Sequence, residues 1–247
     1  MTMFGIIAGT GFETLDELDL KSERKAPSAW GPPSAPVQVG TLGDTEVLFL
    51  SRHGLKHELA PHEINYRANI AALKDAGANA IFAVYTVGGI AAPVRTPGTV
   101  VVPHDIVDYT WGRKHSFSMA GEVIHAEFGE PFDAALRARL VAAARAVSAE
   151  ADAPVVDGGV YAATQGPRLE SPAEIDRLER DGCTIVGMTG MPEVGLAREL
   201  ELPIAGIACV VNPAAGRGAI SLEEIHAAAA AGRARILRTL ALAVRGD

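Results

Sequence analysis

PIAGIACVVNPAAG, residues 203–216, opens with nine residues that carry no charge and only apolar or small side chains. Such a run reads as a strand buried in a sheet. It stops at Asn212, and Pro213 follows at once. An amide at the end of a buried strand is either a turn former or a group that reads a ligand.

Working outward, similar runs alternate with helical patterns. FGIIAG (4–9) is a buried strand that ends in Gly9-Thr10-Gly11, and PVQVGTLGDTEVLFLSRHG (36–54) reads as a hairpin turning at Gly43-Asp44. Residues 62–76, with apolar Ile64, Ile70 and Leu73, form a helix stopped by Gly77. Strands are expected over 79–90, 99–107, 155–166 and 184–188, and an Ala-rich helix over 134–149 with Asp133 as its cap. Ser171-Pro172-Ala173-Glu174 and Ser221-Leu222-Glu223-Glu224 are capping boxes that open two helices, and MPEVGLARELEL (191–202) is a short helix between them. The segment 108–130 is a long polar-aromatic loop, of a length usually functional or interfacial.

This alternation predicts an α/β fold with a mostly parallel sheet flanked by helices. No internal repeat or linker interrupts it, so one domain is expected over residues 1–247. Ligands in such folds gather at the C-terminal ends of strands. Polar groups fall at the expected ends: Thr10, Arg52-His53, Thr86, Glu170, Thr189 and Asn212.

Composition narrows the function classes. With 48% hydrophobic residues, the chain has enough apolar material for a large core, and a net charge of −8 argues against a nucleic-acid footprint. No apolar run approaches the roughly 18–20 residues that a membrane helix needs. The N-terminus lacks the basic region and cleavage site of a signal peptide, so a soluble cytoplasmic protein is expected. Cys183 and Cys209 each sit in an apolar run and read as core thiols.

The local chemistry is ambiguous piece by piece. Gly9-Thr10-Gly11 suits a phosphate but equally a tight turn. Arg52 and His53 are either a solvated basic turn or an anion fork. His53, His57, His62 and His104 raise the thought of a metal, but no Cys or carboxylate stands beside them at a ligand spacing, and no metal is expected. Thr189 precedes a helix start that offers free N–H groups to an anion, or is an ordinary cap. Arg168 and Glu170 either pair at the surface or leave Glu170 to accept a heterocycle N–H.

Taken together, SRHG (51–54), HEINYRANI (62–70), TVGGI (86–90), QGPRLES (165–171) and GMTGMPEVGLARE (187–199) closely resemble the trimeric purine nucleoside phosphorylase and methylthioadenosine phosphorylase family, over nearly the whole chain. The resemblance implies a mixed, partly barrel-like sheet and a homotrimer with sites near subunit interfaces. It implies phosphorolysis of a purine nucleoside, with phosphate as co-substrate and no metal or organic cofactor. Carried over, phosphate is held by Thr10, Arg52, His53, the backbone around Thr86, and Thr189. Met188 packs under the ribose, and His57 lies near the sugar–phosphate side. Leu169 stacks on the base where the family usually has Phe, and His125 reaches into the neighbouring subunit's site.

Within the family, Asn at position 212 with Glu170 goes with 6-oxopurines, whereas methylthioadenosine phosphorylases carry Asp there. Asn212 and His57 are therefore the expected catalytic groups. The aligned 5′ pocket has Leu222 and Ile225 where ordinary inosine phosphorylases place a His, although His226 is adjacent. An oxo-base reader with an apolar 5′ pocket resembles the branch acting on S-methyl-5′-thioinosine. The alternatives are a methylthioadenosine phosphorylase, a general 6-oxopurine nucleoside phosphorylase and, from another class, a non-catalytic nucleoside-binding protein.

Overall fold

The computed structural model describes residues 2–12, 18–24, 29–149, 154–219 and 221–245, without the side chain of Leu222. Among the described residues, eleven strands and five α-helices follow one another as β1 (Phe4–Ala8), β2 (Asp19–Arg24), β3 (Val37–Leu42), β4 (Thr45–Ser51), α1 (Tyr66–Asp75), β5 (Ala80–Gly89), β6 (Val100–Val102), β7 (Asp105–Asp108), α2 (Ala134–Ala149), β8 (Val155–Asp157), β9 (Val160–Ala163), α3 (Pro172–Arg180), β10 (Ile185–Gly187), α4 (Gly190–Glu199), β11 (Ile204–Pro213) and α5 (Leu222–Ala243). β1, β4, β5 and β11 are mutually parallel and form the centre of a mixed sheet.

The sheet divides the core into layers. Along β5, Ile81, Ala83, Tyr85 and Val87 pack in one cluster with Ile70 and Leu73 of α1 and Val194 and Leu196 of α4. Phe82 and Val84 point the other way, into a cluster with Leu140 of α2 and Ile236, Leu237 and Leu240 of α5. Both faces of the central strands are thus covered, which explains why their sequences lack polar alternation.

β5 branches. On one side β11 follows it along its length; on the other, β1 pairs with its first half and antiparallel β10 with Gly88 and Gly89. β10 runs on to parallel β9, and β9 to β7. β11 continues to β6, and β6 to β8. The sheet therefore curls toward a barrel without closing into one.

Several elements differ from expectation. The helix expected over 62–76 starts at Tyr66, because the Asn65 side chain accepts the Ala68 N–H and caps it there. The strand expected over 99–107 is two strands parted at Pro103-His104. That over 155–166 is parted at Gly158 and Gly159, whose φ values of 109° and 112° break the extended backbone. β2 was not expected at all: DLKSER is exposed along its length and shows no apolar alternation. The hairpin turn at Gly43-Asp44 is as expected, with Leu42 opposite Thr45. The Asp133 cap is present, its carboxylate accepting the Leu136 N–H at 2.9 Å. So is the Ser171–Glu174 capping box, complete in both directions. Cys183 and Cys209 are buried free thiols, and burial raises both above their ordinary range.

The branch point leaves no room for a side chain at Gly89, where an added Cβ would lie 2.0 Å from the Val94 carbonyl oxygen. Backbone cannot yield as a flexible side chain does. Gly89→Ala is expected to destabilise the fold by about 1–3 kcal/mol, read as a lower denaturant midpoint with an unchanged slope.

Candidate active site

A cavity of about 500 Å³ opens where the central strands end. Its lining includes Thr10, Arg52, His53, His57, Thr86, Leu169, Glu170, Met188, Thr189, Asn212 and Ile225. Eleven of the thirteen expected site residues are thus brought to one hollow from seven separate segments. Of the other two, His125 is exposed on the long loop and is not among the lining residues, and Leu222 falls at a side chain outside the described part.

The antiparallel step at β10 explains the convergence. β1, β4 and β11 deliver Thr10, Arg52 and Asn212 from below. β10 enters against the far end of β5 and runs back along it, bringing Met188 and Thr189 to the same hollow. Thr86 is not at a strand end, as expected, but within β5, which continues to Gly89.

Arg52 differs most from the expected fork. Its guanidinium is 1% exposed, and its Nε and Nη2 donate to Glu193 Oε2 and Oε1 at 2.8 and 2.9 Å. Nη1 donates to the Val84 carbonyl at 2.9 Å and Nη2 also to that of Ile7 at 3.2 Å. Of the five N–H donors on a guanidinium, one on Nη1 remains. The bidentate face points at Glu193, so the expected two-pronged anion contact is corrected to a single donor. Burial works against the Arg52 charge, but the Glu193 carboxylate and its hydrogen bonds outweigh it and hold the group above its ordinary range. Tyr85 donates to the same carboxylate at 3.1 Å. Burial raises the Tyr85 hydroxyl, and the nearby Glu193 charge adds to that.

His53 Nδ1 lies 2.8 Å from the Leu59 carbonyl. A carbonyl only accepts, so Nδ1 carries the hydrogen and Nε2 is turned toward Gly9. A Cβ at Gly9 would meet His53 Cδ2 at 2.7 Å, Nε2 at 3.0 Å and Arg52 Nη1 at 3.2 Å. The first glycine of the loop is therefore a space requirement. The His57 ring stacks on His53 with centroids 4.6 Å apart and planes within 7°.

The groups at the other end of the cavity are arranged by their neighbours. Arg168 does not pair with Glu170; it forks onto Glu174 at 2.8 Å through both Nη atoms, and those hydrogen bonds pull the Glu174 carboxyl down to about 2. Glu170 Oε1 accepts from Thr164 Oγ at 2.6 Å. Asn212 follows a β-bulge. Val210 pairs with Val87, but Asn212 pairs with Gly88, where unbroken register would give Gly89. The shift puts Asn212 level with the face of β5 that carries Thr86 and Gly88. Its Nδ2 donates to the Pro213 carbonyl at 2.6 Å, which uses one of the two amide hydrogens.

Thr189 precedes α4, but its hydroxyl makes no capping bond. Met191 is extended (φ −115°, ψ 141°), so the regular helix begins at Pro192, one residue later than expected. Ile225 of α5 lines the cavity, whereas its neighbour His226 is exposed. Among the described residues, no three His, Cys, Asp or Glu side chains converge as metal ligands, and no helix is long and apolar enough to cross a membrane.

The Phosphorylase superfamily matches residues 3–245. The chain belongs to that superfamily. This phosphorylase is 53% identical over 245 residues to a probable S-methyl-5′-thioinosine phosphorylase of Pseudomonas syringae pv. tomato, covering 98% of each chain. It is 43% identical over 214 residues to an S-methyl-5′-thioadenosine phosphorylase of Mycolicibacterium smegmatis, covering 87% of this chain and 78% of that one. Among solved structures, the methylthioadenosine phosphorylase of Schistosoma mansoni in complex with adenine superposes with a TM-score of 0.91 at 31% identity, over 99% of this chain and 91% of that one.

Two residues of the phosphorylase escaped the sequence reading. Glu193 had been noted only as part of a helix start, and Arg113 only as part of a loop. Their partners lie far off in the chain, and no local pattern announces them. Glu193→Ala would leave the Arg52 charge buried without its partner. A loss of about 3–5 kcal/mol in unfolding free energy is expected, with Glu193→Gln milder because its amide oxygen still accepts; urea melts of the two variants check it.

Proposed function

We propose that this phosphorylase cleaves S-methyl-5′-thioinosine with inorganic phosphate, giving hypoxanthine and 5-methylthioribose 1-phosphate, as a cytoplasmic homotrimer that needs no metal or organic cofactor. The observation that carries the reading is the company Asn212 keeps. The amide stands at the bulge, in one cavity with the Glu170 carboxylate and with Thr10, Arg52 and His53. The name of the Pseudomonas relative supports the same substrate.

In this reading a phosphate oxygen bonds to C1′ as the C1′–N9 bond breaks, and the electron pair of that bond goes to the purine, which takes up, through water, the proton that the phosphate gives up on becoming an ester. Positive charge grows on the sugar beside the phosphate and negative charge on the leaving base. Thr10 and Thr189 supply hydroxyls to the phosphate, beside the backbone around Thr86, and Arg52 supplies its remaining Nη1–H. His53, held through Nδ1 by the Leu59 carbonyl, stands beside the phosphate. His57, stacked on His53, serves the sugar–phosphate side. Positioning accounts for much of the rate, without a covalent intermediate.

Glu170 accepts the N1–H of a 6-oxopurine. The free Asn212 hydrogen goes to O6, and Oδ1 faces a protonated N7. Adenine has no N1–H and offers an amino donor where Asn212 donates. Met188 lies under the ribose, Leu169 covers the base, and Leu222 and Ile225 take the methylthio group. Trp111, Val123 and Met119, at 72%, 69% and 57% exposure, give the long loop an apolar surface that suits subunit contact, with His125 reaching a neighbour's cavity.

A substrate panel with and without phosphate tests the reading. Base release is expected only with phosphate, and kcat/KM for methylthioinosine should exceed that for methylthioadenosine by ~10² or more. Inosine should trail by a comparable factor for want of a 5′ hydroxyl partner. Asn212→Asp should lower the first rate and raise the relative rate on the 6-amino nucleoside. A wild type that prefers methylthioadenosine would hand the assignment to the methylthioadenosine phosphorylase reading, with which the Mycolicibacterium relative's name agrees.

The phosphate end has its own check. Gly9→Ala drives a methyl into the His53 ring, so the phosphate KM should rise by about tenfold or more. The nucleoside KM should move little. Initial rates over a grid of both substrates separate the two constants.

A further inference from the structure

Arg113 does not line the cavity, yet it is an arginine of only 8% exposure in a long loop where, besides it, only Phe117 is buried. Its Nη1 donates to the Met188 carbonyl at 2.8 Å, the Met191 carbonyl at 2.6 Å and the Tyr66 hydroxyl at 3.1 Å. Its Nη2 donates to the Gln165 carbonyl at 2.8 Å and, more weakly, to that of Thr164 at 3.3 Å. Nε reaches the Gln165 side-chain oxygen at 3.2 Å, and the guanidinium lies over the Tyr66 ring, 5.4 Å from its centre. One planar group thus ties together the segment after β9 and the segment after β10. Main-chain carbonyls at the ends of a sheet have no ladder partner left, and a buried cation satisfies several of them at once.

We infer that Arg113 is the positioning residue for the nucleoside half of the cavity: it sets the distance between the strand end that carries Glu170 and the one that carries Met188. The inference rests on the phosphorolysis reading above and adds a residue to it. Thr164 joins Arg113 to the base end, since its carbonyl takes the guanidinium while its hydroxyl donates to Glu170 at 2.6 Å. Met188 is held through its own carbonyl.

The phosphate side hangs from other supports. Arg52 and His53 follow β4, and Arg52 is fixed by Glu193, Val84 and Ile7. Thr189 lies between Met188 and Met191, whose carbonyls Arg113 holds, but its N–H is donated to the Tyr161 hydroxyl at 3.4 Å, and the Arg52–Glu193 pair anchors the same segment from the opposite side. Loss of Arg113 therefore loosens one end of the cavity and spares the other.

The test is a two-substrate kinetic grid on Arg113→Met, Arg113→Lys and Gln165→Ala, with the purine nucleoside that the unaltered protein cleaves fastest, whichever it is. A displaced substrate platform costs on the order of 10–100-fold. Arg113→Met is expected to raise the nucleoside KM by that much, with the phosphate KM within about threefold of wild type. Arg113→Lys, which keeps a cation able to reach two carbonyls, should recover part of the loss. Gln165→Ala keeps the guanidinium and removes one acceptor, and should shift the same constant in the same direction by less.

Arg67→Met is the comparison. Arg67 donates to Ser116 in the same loop at 3.4 Å and covers Trp30, without a bond to either strand end. Parallel rises in both KM values, or an equal nucleoside defect in Arg67→Met, would overturn the inference. Should Arg113→Met not fold, an unshifted nucleoside KM in both Arg113→Lys and Gln165→Ala would overturn it equally. Because the nucleoside is chosen by wild-type activity, an error in the substrate assignment shows in the panel and leaves this comparison intact.

Discussion

Arg52 and Glu193 stand 141 residues apart in the chain and meet through two hydrogen bonds of 2.8 and 2.9 Å, with almost no exposure of either side chain. Desolvating two such charges is costly, and the geometry that offsets the cost is demanding. The carboxylate must face the guanidinium edge on, and the remaining N–H groups must find the Val84 and Ile7 carbonyls. Meeting these conditions together fixes β4, β1, β5 and the start of α4 relative to one another. The cavity is the space that remains beside that arrangement, so its shape follows from a charge pair that a ligand hardly touches.

A division of labour results. The turn after β1 and the segment after β4 form one end of the cavity, crowded around Gly9 so tightly that a methyl group does not fit. The ends of β9, β10 and β11 form the other, looser end, held by Arg113 and by the ion pairs of Arg168 with Glu174 and of Arg217 with Asp176 and Glu179. Exposed pairs of this kind are weak individually. The buried clamp of Arg113 is the stronger support, and it enters from a loop.

Much of this was legible in the chain because it is local. Caps at Asp133 and Ser171, the turn at Gly43-Asp44 and the long apolar strands are written in neighbouring residues, and short-range physics reads them. The clustering of Thr10, Arg52, Glu170, Thr189 and Asn212 was legible too, through the tendency of strand ends to share one edge of a sheet. What was hidden depends on distant partners. DLKSER becomes a strand because β3 offers it a ladder, not because its side chains favour one. The breaks at Pro103 and at Gly158-Gly159 follow from a sheet that turns away and hands the chain to new neighbours. Arg52 looked like a free fork because nothing near it in sequence announces Glu193, and Arg113 looked like loop decoration because its acceptors are carbonyls, which every residue has.

The bulge at Val210–Asn212 has a consequence for how such an enzyme changes over time. Val210 before the irregularity and Val211 within it are sealed in the two core clusters, while Asn212 is only half-buried beside a glycine that presents no side chain. An exchange at 212 therefore changes the cavity wall without removing a core contact or displacing a packed neighbour. If Asn212 reads the base as proposed, inheritance of the scaffold and choice of ligand are uncoupled at this position, and a lineage can drift from one purine to another by a mutation to which its stability is nearly indifferent.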